Sequence, residues 1–412
     1  MVRLRLLLLL ALGPTALAGP VASAGAQNGA QDAAFARGIS KALATHGLGG
    51  KGTGVAVADL ATGQIIYRRN GWRAMLPAST EKLFTTVAAF TTLHPTFRFA
   101  TTVVGAGAQA GATWKGDLFL VGSGDPTFSS DDIDALAAQV KARGITRVTG
   151  RIRGDESVFD ASRWGPWPTK YMGIESPPLS GLTLDRNVTE SGQDVPSPSR
   201  NAARALRKAL TAAGVHVGVR FVGGGVAPKS GVELGRVQSD PLWKIVRFMD
   251  RHSDNFTAEM VAKAVGHYAG GSGTTARGMQ LAGDIAKPML GEDAAELHLA
   301  DGTGLSHQDR VTASALARLL AAAAANPLIA KPLAGALSVA GANGTLAHRL
   351  PALRGRVLGK SGTLDNVSAL AGYVTALSGR RYAFAVLINV PGLSDWDAHA
   401  AQDAVVTFLA KH

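Results

Sequence analysis

Pro77-Ala78-Ser79-Thr80-Glu81-Lys82 stands between a polar turn and an apolar-periodic stretch, and the reading of this hexapeptide decides how the rest of the chain is organised. Beyond it Leu83, Phe84, Val87, Phe90 and Leu93 recur at helical spacing, and Pro95 marks the end. Ser79 thus sits at a helix start, with Lys82 three residues on and on the same face of the turn. A serine hydroxyl is a weak nucleophile until a base takes its proton. Lysine becomes that base when desolvation or nearby positive charge lowers its pKa, and the helix start favours anionic oxygen. A capping serine beside a solvated lysine would give the same letters, so the hexapeptide needs partners elsewhere.

Working outward, strand-like runs at 54–58 and 64–67 joined by Ala61-Thr62-Gly63 read as a hairpin. From about 96 to 239 short strands separated by Gly, Asp and Pro turns take over, with helical segments at 131–143 and 200–213. Helical patterning returns at 241–268, 274–290 and 312–325. The chain closes with strand-like runs at 356–360, 368–376 and 382–390 and an amphipathic stretch at 395–411. Strand pairs at both ends predict one antiparallel sheet assembled from the two termini, covered by the first and last helices, with a helical lobe beside it. This is an α/β (α+β) arrangement with a cleft between sheet and lobe.

Length and composition set bounds. The 412 residues exceed what one hydrophobic core usually supports, so two or three units are expected. Arg3 and Arg5, the apolar run 6–12 and the small residues up to Ala26 read as an export signal, with cleavage expected after Ala26. The apolar run is short of the roughly 20 residues that span a bilayer. The mature protein is therefore expected outside the cytoplasm, periplasmic or wall-associated. With no cysteine and no HxxEH-type histidine pair, neither thiol chemistry nor a metal centre is expected, and no cofactor is called for. The formal charge of +12 is dispersed, without a nucleic-acid module; it suits solubility equally with peripheral contact to anionic wall polymer or membrane surface.

Two further motifs complete the hexapeptide. Ser253-Asp254-Asn255 lies in the helical region, where Ser253 can relay a proton to a leaving amine and the Asn255 amide can hold a substrate peptide group and Lys82; an N-cap cluster would also suit these residues. Lys360-Ser361-Gly362-Thr363 ends a strand before a hairpin. Lys360 there would project into the cleft and attract a carboxylate, Gly362 would let backbone approach closely, and the amides of Thr363 and Ser79 could face an oxyanion. A second copy, Lys229-Ser230-Gly231, lies within the strand-rich region and ahead of Ser253, and its context and order set it aside.

The set Ser-x-x-Lys, Ser-x-Asn and Lys-Ser-Gly resembles that of penicillin-binding proteins and class A β-lactamases. The flanks Gly124-Asp125-Pro126-Thr127, Gly154-Asp155-Glu156-Ser157, Asp185-Arg186-Asn187 and Asp301-Gly302-Thr303-Gly304 resemble the D-Ala-D-Ala carboxypeptidase family of the S13, or penicillin-binding protein 4, type. That resemblance implies a catalytic domain in two parts, 27–96 and 241–412, interrupted by an inserted region over 97–240 after the 1–26 leader. It implies a serine carboxypeptidase, possibly also an endopeptidase, acting on peptidoglycan stem peptides through a Ser79 acyl-enzyme and acylated by β-lactam antibiotics. Lys82 would be the base, Ser253 the proton relay, Asn255 and Lys360 the substrate holders, and Ser361, Gly362 and Thr363 the strand along which substrate lies. The chain departs from the pattern at Thr169-Lys170, where an acid often stands, at His307, where arginine is common, and at Ser361 in place of threonine. The alternatives are a β-lactamase, for which no Glu-x-x-Leu-Asn loop is found, and a non-catalytic wall-binding or β-lactam-sensing protein, which would not need both lysines.

Overall fold

A computed structural model describes residues 22–412; the leader expected over residues 1–26 lies, through residue 21, outside the described residues. Helix α1 (Ala22–Ala44) precedes the hairpin of β1 (Thr53–Asp59) and β2 (Ile65–Arg69), and a 3-10 turn (Ala78–Glu81) opens α2 (Lys82–Thr92). A second sheet follows. Its long hairpin is β3 (Ala100–Ala110) and β4 (Thr113–Val121), succeeded by α3 (Ser130–Ala142), β5 (Arg147–Val148), β6 (Ile152–Asp155) and α4 (Pro198–Ala212). Strands β7 (His216–Val217), β8 (Gly223–Gly224) and β9 (Val232–Gln238) complete it. The β3–β4 and β3–β9 pairs are antiparallel and the short strands add in parallel, which requires the crossovers that α3 and α4 supply.

The chain returns through α5 (Leu242–His252), α6 (Asn255–Gly270), α7 (Thr275–Leu290), α8 (Ala313–Ala325) and α9 (Ala330–Ala336). It closes with β10 (Ser338–Val339), β11 (Val357–Leu364), β12 (Val367–Thr375), β13 (Arg381–Asn389) and α10 (Asp395–Lys411). As the sequence predicts, the two ends of the chain share one antiparallel sheet, in the order β10-β11-β12-β13-β1-β2, with β1 and β13 paired from Thr53↔Ile388 to Asp59↔Tyr382.

Strand alternation sorts side chains onto two faces of this sheet. Val55, Val57, Phe384, Val386 and Ile388 share a core with Ile39 and Leu43 of α1 and Val405 and Leu409 of α10. Ala56, Ala58, Ala383 and Ala385 face the helical lobe, and their small size lets α8 lie against β1 and β13. The second sheet has a core of its own, including Trp114, Leu118, Ile133, Leu136 and Leu206. The segment between β6 and α4 is shared between the two bodies: Phe159, Trp167 and Leu179 are buried with Phe90, Phe256 and Leu305 of the lobe, so this stretch of the 97–240 region forms a wall of the catalytic half.

The helical patterning over 241–268 is two helices, a correction to the expected single segment. Ser253 has φ 56 and ψ 37, the left-handed region, and the Asp254 carboxylate caps α6 by accepting from Thr257 N at 2.8 Å. Met249 and Phe256, on either side of the break, bury into the same core, so the apolar rhythm runs through it unbroken.

Candidate active site

Ser79 lies in the 3-10 turn, directly after Ala78, which holds φ 47, a left-handed conformation costly for a residue with a Cβ. Gly304 packs behind it: a Cβ there would lie 1.9 Å from the Ala78 carbonyl oxygen. Lys82 points inward from the first turn of α2 and is fully buried. Its Nζ is 2.9 Å from Ser79 Oγ, 2.7 Å from Asn255 Oδ1 and 2.7 Å from the Thr303 carbonyl oxygen. A neutral amine has two N–H groups, and here the Asn255 and Thr303 oxygens accept both. The lone pair is left facing Ser79 Oγ. Burial pulls the Lys82 pKa down to about 8, against the opposing pull of Asp301 and Asp254.

The break between α5 and α6 carries the second hydroxyl. Left-handed Ser253 turns toward β11, where Lys360 Nζ donates to Ser253 Oγ at 2.8 Å and to the Ser361 carbonyl at 2.7 Å. Lys360 was expected to project into the cleft; instead its stem is fully buried and its ammonium reaches the site through Ser253. Burial, and then the like charge of Lys82, hold Lys360 well below the ordinary lysine range, with Asp250 opposing. Buried Asp250 accepts from Thr86 Oγ1 at 2.8 Å and is pushed up to about 7 by the same loss of water.

Asn255 is held on its other side by Glu175, whose backbone and side-chain oxygens each accept from Asn255 Nδ2 at 3.1 Å. That fixes the amide with its oxygen toward Lys82. Behind it Arg186 pairs with Asp254 at 2.6 Å and lies 4.9 Å over the Phe256 ring. On β11, a Cβ at Gly362 would come within 2.7 Å of Ser79 N, so only glycine lets this strand run beside the nucleophile's amide. Ser361 Oγ donates to Thr345 Oγ1 at 2.6 Å, and exposed Thr363 follows along the cleft.

The cleft has a volume of about 900 Å³ and is lined by Ser79, Ser253, Asn255 and the 361–363 strand, with Tyr171 and Leu305 opposite. All the residues singled out from the three motifs therefore meet, whereas Lys229-Ser230-Gly231 is a turn before β9 in the other sheet. Two of the three departures from the family pattern, far apart in sequence, flank one ring: Lys170, which pairs with Asp365 of the β11–β12 turn, lies 4.9 Å over Tyr171, and His307 lies edge-on to it with ring centroids 6.2 Å apart. Glu175, Thr345 and the Thr303 carbonyl were not singled out as site residues by the sequence. Glu175 and Thr345 lie in none of the stretches quoted above; Thr303 lies in one that carries the family resemblance, Asp301-Gly302-Thr303-Gly304, and that is its signal.

A helix-start serine with a buried lysine, a second serine–lysine pair and a glycine strand beside the nucleophile define a serine acyl-transferase of the penicillin-binding type. Comparison narrows the class: residues 35–194 and 190–412 match the D-Ala-D-Ala carboxypeptidase 3 (S13) family, and the chain belongs to it. The chain is 32% identical to the D-alanyl-D-alanine carboxypeptidase of Actinomadura sp. (strain R39), over 97% of this chain and 88% of that protein. In fold it is similar to penicillin binding protein 4 from Haemophilus influenzae, with a TM-score of 0.78 at 23% identity, covering 87% of this chain and 96% of that one. The same protein complexed with a novel β-lactam matches at 0.73 and 22% identity over the same shares.

Proposed function

We propose that Ser79 is the nucleophile of a serine D-Ala-D-Ala carboxypeptidase acting on peptidoglycan stem peptides. One observation carries the assignment: Lys82 Nζ lies within 2.9 Å of three oxygens, so that in the neutral amine, with Asn255 Oδ1 and the Thr303 carbonyl accepting its two N–H groups, the lone pair faces Ser79 Oγ. Lys82 takes the hydroxyl proton as Ser79 Oγ bonds to the carbonyl carbon of the penultimate D-alanine. The carbonyl electron pair moves to oxygen, which the amides of Ser79 and Thr363 face across the gap that Gly362 keeps open. When the pair returns, the C–N bond breaks and Ser253 passes a proton to the departing amine, the proton taken by Lys82 making up the balance. Water then cleaves the Ser79 ester. Lys360 donates an N–H to Ser253 Oγ at 2.8 Å and so orients the relay hydroxyl, and Asn255 orients the peptide group.

β-Lactams would acylate the same serine, as the β-lactam complex of the H. influenzae relative supports. Among the described residues no helix is long and apolar enough to cross a membrane, which accords with an exported enzyme working on the wall. The Lys170–Asp365 pair, with Tyr171 and His307 beside the cleft, would set the preference for the stem peptide's side chain.

Incubation of the mature protein and Ser79→Ala with labelled penicillin, and separately with a D-Ala-D-Ala pentapeptide, tests the reading. A stable adduct on Ser79 with D-alanine release is expected. Rapid antibiotic hydrolysis would make it a β-lactamase, and neither adduct nor release would leave a wall-binding protein.

A further inference from the structure

Behind the catalytic lysine lies a group of carboxyls that the chemistry above does not use. Glu81 is fully buried, and neither of its carboxyl oxygens has a hydrogen-bond donor. Carboxyl oxygens of Glu81, Asp301 and Asp309 all lie within 4.8 Å of one another. The three are not equivalent. Asp301 accepts from Thr303 N at 2.7 Å, Thr303 Oγ1 at 2.9 Å, Gly304 N at 2.6 Å and Ser306 N at 2.7 Å, so its oxygens are already taken by four donors. Asp309 accepts from Ala300 N at 2.7 Å through Oδ1, while its Oδ2, like both oxygens of Glu81, has no donor. Adjacent carboxylates in a dry site cannot both ionise, so one of them holds a proton. Asp309, with one oxygen already taking an N–H, is the better acceptor, and Glu81 the better acid.

We infer that Glu81 is a neutral carboxylic acid whose O–H donates to Asp309 Oδ2, and that this shared proton positions the 301–309 loop against the turn that carries Ser79. The inference rests on the acyl-transfer reading for its consequence, because of what the loop holds. Thr303 takes an N–H of Lys82 at 2.7 Å, Gly304 lies against the Ala78 carbonyl, and Ser306 Oγ donates to the Pro166 carbonyl at 2.9 Å. The charged groups facing Glu81 are Lys82 at the start of α2, Asp301 and Asp309 from the loop, and Glu259 from α6. Glu259 accepts from Gly302 N at 3.0 Å and from Thr275 Oγ1, and burial pushes it up to about 7. Of these only Lys82 is a cation, and it must be neutral to act as base. An ionised Glu81 would favour its ammonium form; a protonated Glu81 leaves the base free. Burial pushes both Glu81 and Asp309 well above the ordinary carboxyl range, and their mutual contact raises Glu81 while lowering Asp309, in keeping with this assignment.

The test compares the full-length mature protein with Glu81→Gln, whose amide N–H replaces the O–H, and Glu81→Met, which has no donor. The unfolded chain loses the Glu81 proton at its ordinary value and the folded chain keeps it to higher pH, so wild-type stability falls as pH rises between those two values. Gln has no proton to lose. The Tm of Glu81→Gln minus that of wild type should therefore grow steadily from acid to alkaline pH. Penicillin acylation in Glu81→Gln should stay within about threefold of wild type with its rising pH limb in place, while Glu81→Met should lose about tenfold or more. A rising limb displaced to lower pH in Glu81→Gln would show that Glu81 was ionised, and a Tm difference flat with pH would remove the shared proton. Calcium or magnesium raising the Tm of wild type but not of Glu81→Gln would put a cation in its place. Should Glu81→Met fail to fold, the Gln variant still decides. Absence of acylation in wild type would sink the enzymatic reading, whereas the Tm series would still test the proton.

Discussion

Lys82 and Lys360 are both fully buried and each touches one serine hydroxyl, yet their surroundings differ. Lys82 stands among carboxylates: Asp301, Asp254 and Asp250 pull its pKa upward against burial, and the balance falls at about 8. Lys360 has Asp250 as its counterweight and Lys82 as a like charge, and it sits well below the ordinary range. Removal of water lowers both lysines; the placement of acids decides how far. In the mechanism proposed above the difference divides the labour, with Lys82 exchanging the Ser79 proton and Lys360, anchored between Ser253 and the Ser361 carbonyl, orienting the relay.

The largest effect expected from breaking this comparison is Lys82→Ala, which removes the base and should slow penicillin acylation by about 10³-fold, measured as the second-order rate of adduct formation. Lys360→Ala or Ser253→Ala leaves base and nucleophile in place and should cost about 10²-fold, with the loss concentrated in kcat for the peptide rather than in adduct formation. Equal losses for all three variants would merge the two lysines into one functional unit. A smaller and sharper effect concerns pH. Because Lys82 acts unprotonated, acylation should rise with pH through about 8. Asp250→Asn removes a carboxylate that raises the Lys82 pKa, so the limb should move to lower pH; a limb that stays in place would mean that Asp250 is neutral during turnover.

The sequence made the motif residues legible through their letters and order along the chain, with Ser79 before an apolar-periodic helix, Ser253 in a helical region and Lys360 on a late strand; that Ser253 breaks two helices and that Lys360 lies within β11 came from the fold. That strands from the two ends of the chain share one antiparallel sheet was legible as strand rhythm at both ends; which of them pair, β1 with β13, was not. What stayed hidden depends on backbone and burial. The Thr303 carbonyl that orients Lys82 belongs to a loop whose path no side-chain pattern specifies. Glu81 in a first helical turn reads as a solvated charge, and only the folded chain shows it sealed under the 301–309 loop. Asp185, Arg186 and Asn187 hold φ values of 46, 59 and 58 in succession, and this left-handed turn is what carries Arg186 to Asp254; nothing in their letters announces three such residues in a row.

The smallest expected effect is the most direct check on how a motif acquires its role. Lys229-Ser230-Gly231 repeats the letters of Lys360-Ser361-Gly362, but Lys229 and Ser230 are exposed, and the stretch closes a turn in which Gly231 N donates to the Pro228 carbonyl at 2.9 Å. A Cβ at Gly231 would meet Val104 Cγ1 and the Pro228 carbonyl rather than a nucleophile's amide, and among the described residues no serine hydroxyl accepts from Lys229. Lys229→Ala should therefore leave acylation and D-alanine release unchanged and shift stability by less than about 0.5 kcal/mol, read from parallel kinetics and thermal melts. A loss of activity in that variant would mean that the second sheet reaches the substrate, and the chemistry would then extend beyond the cleft between sheet and lobe.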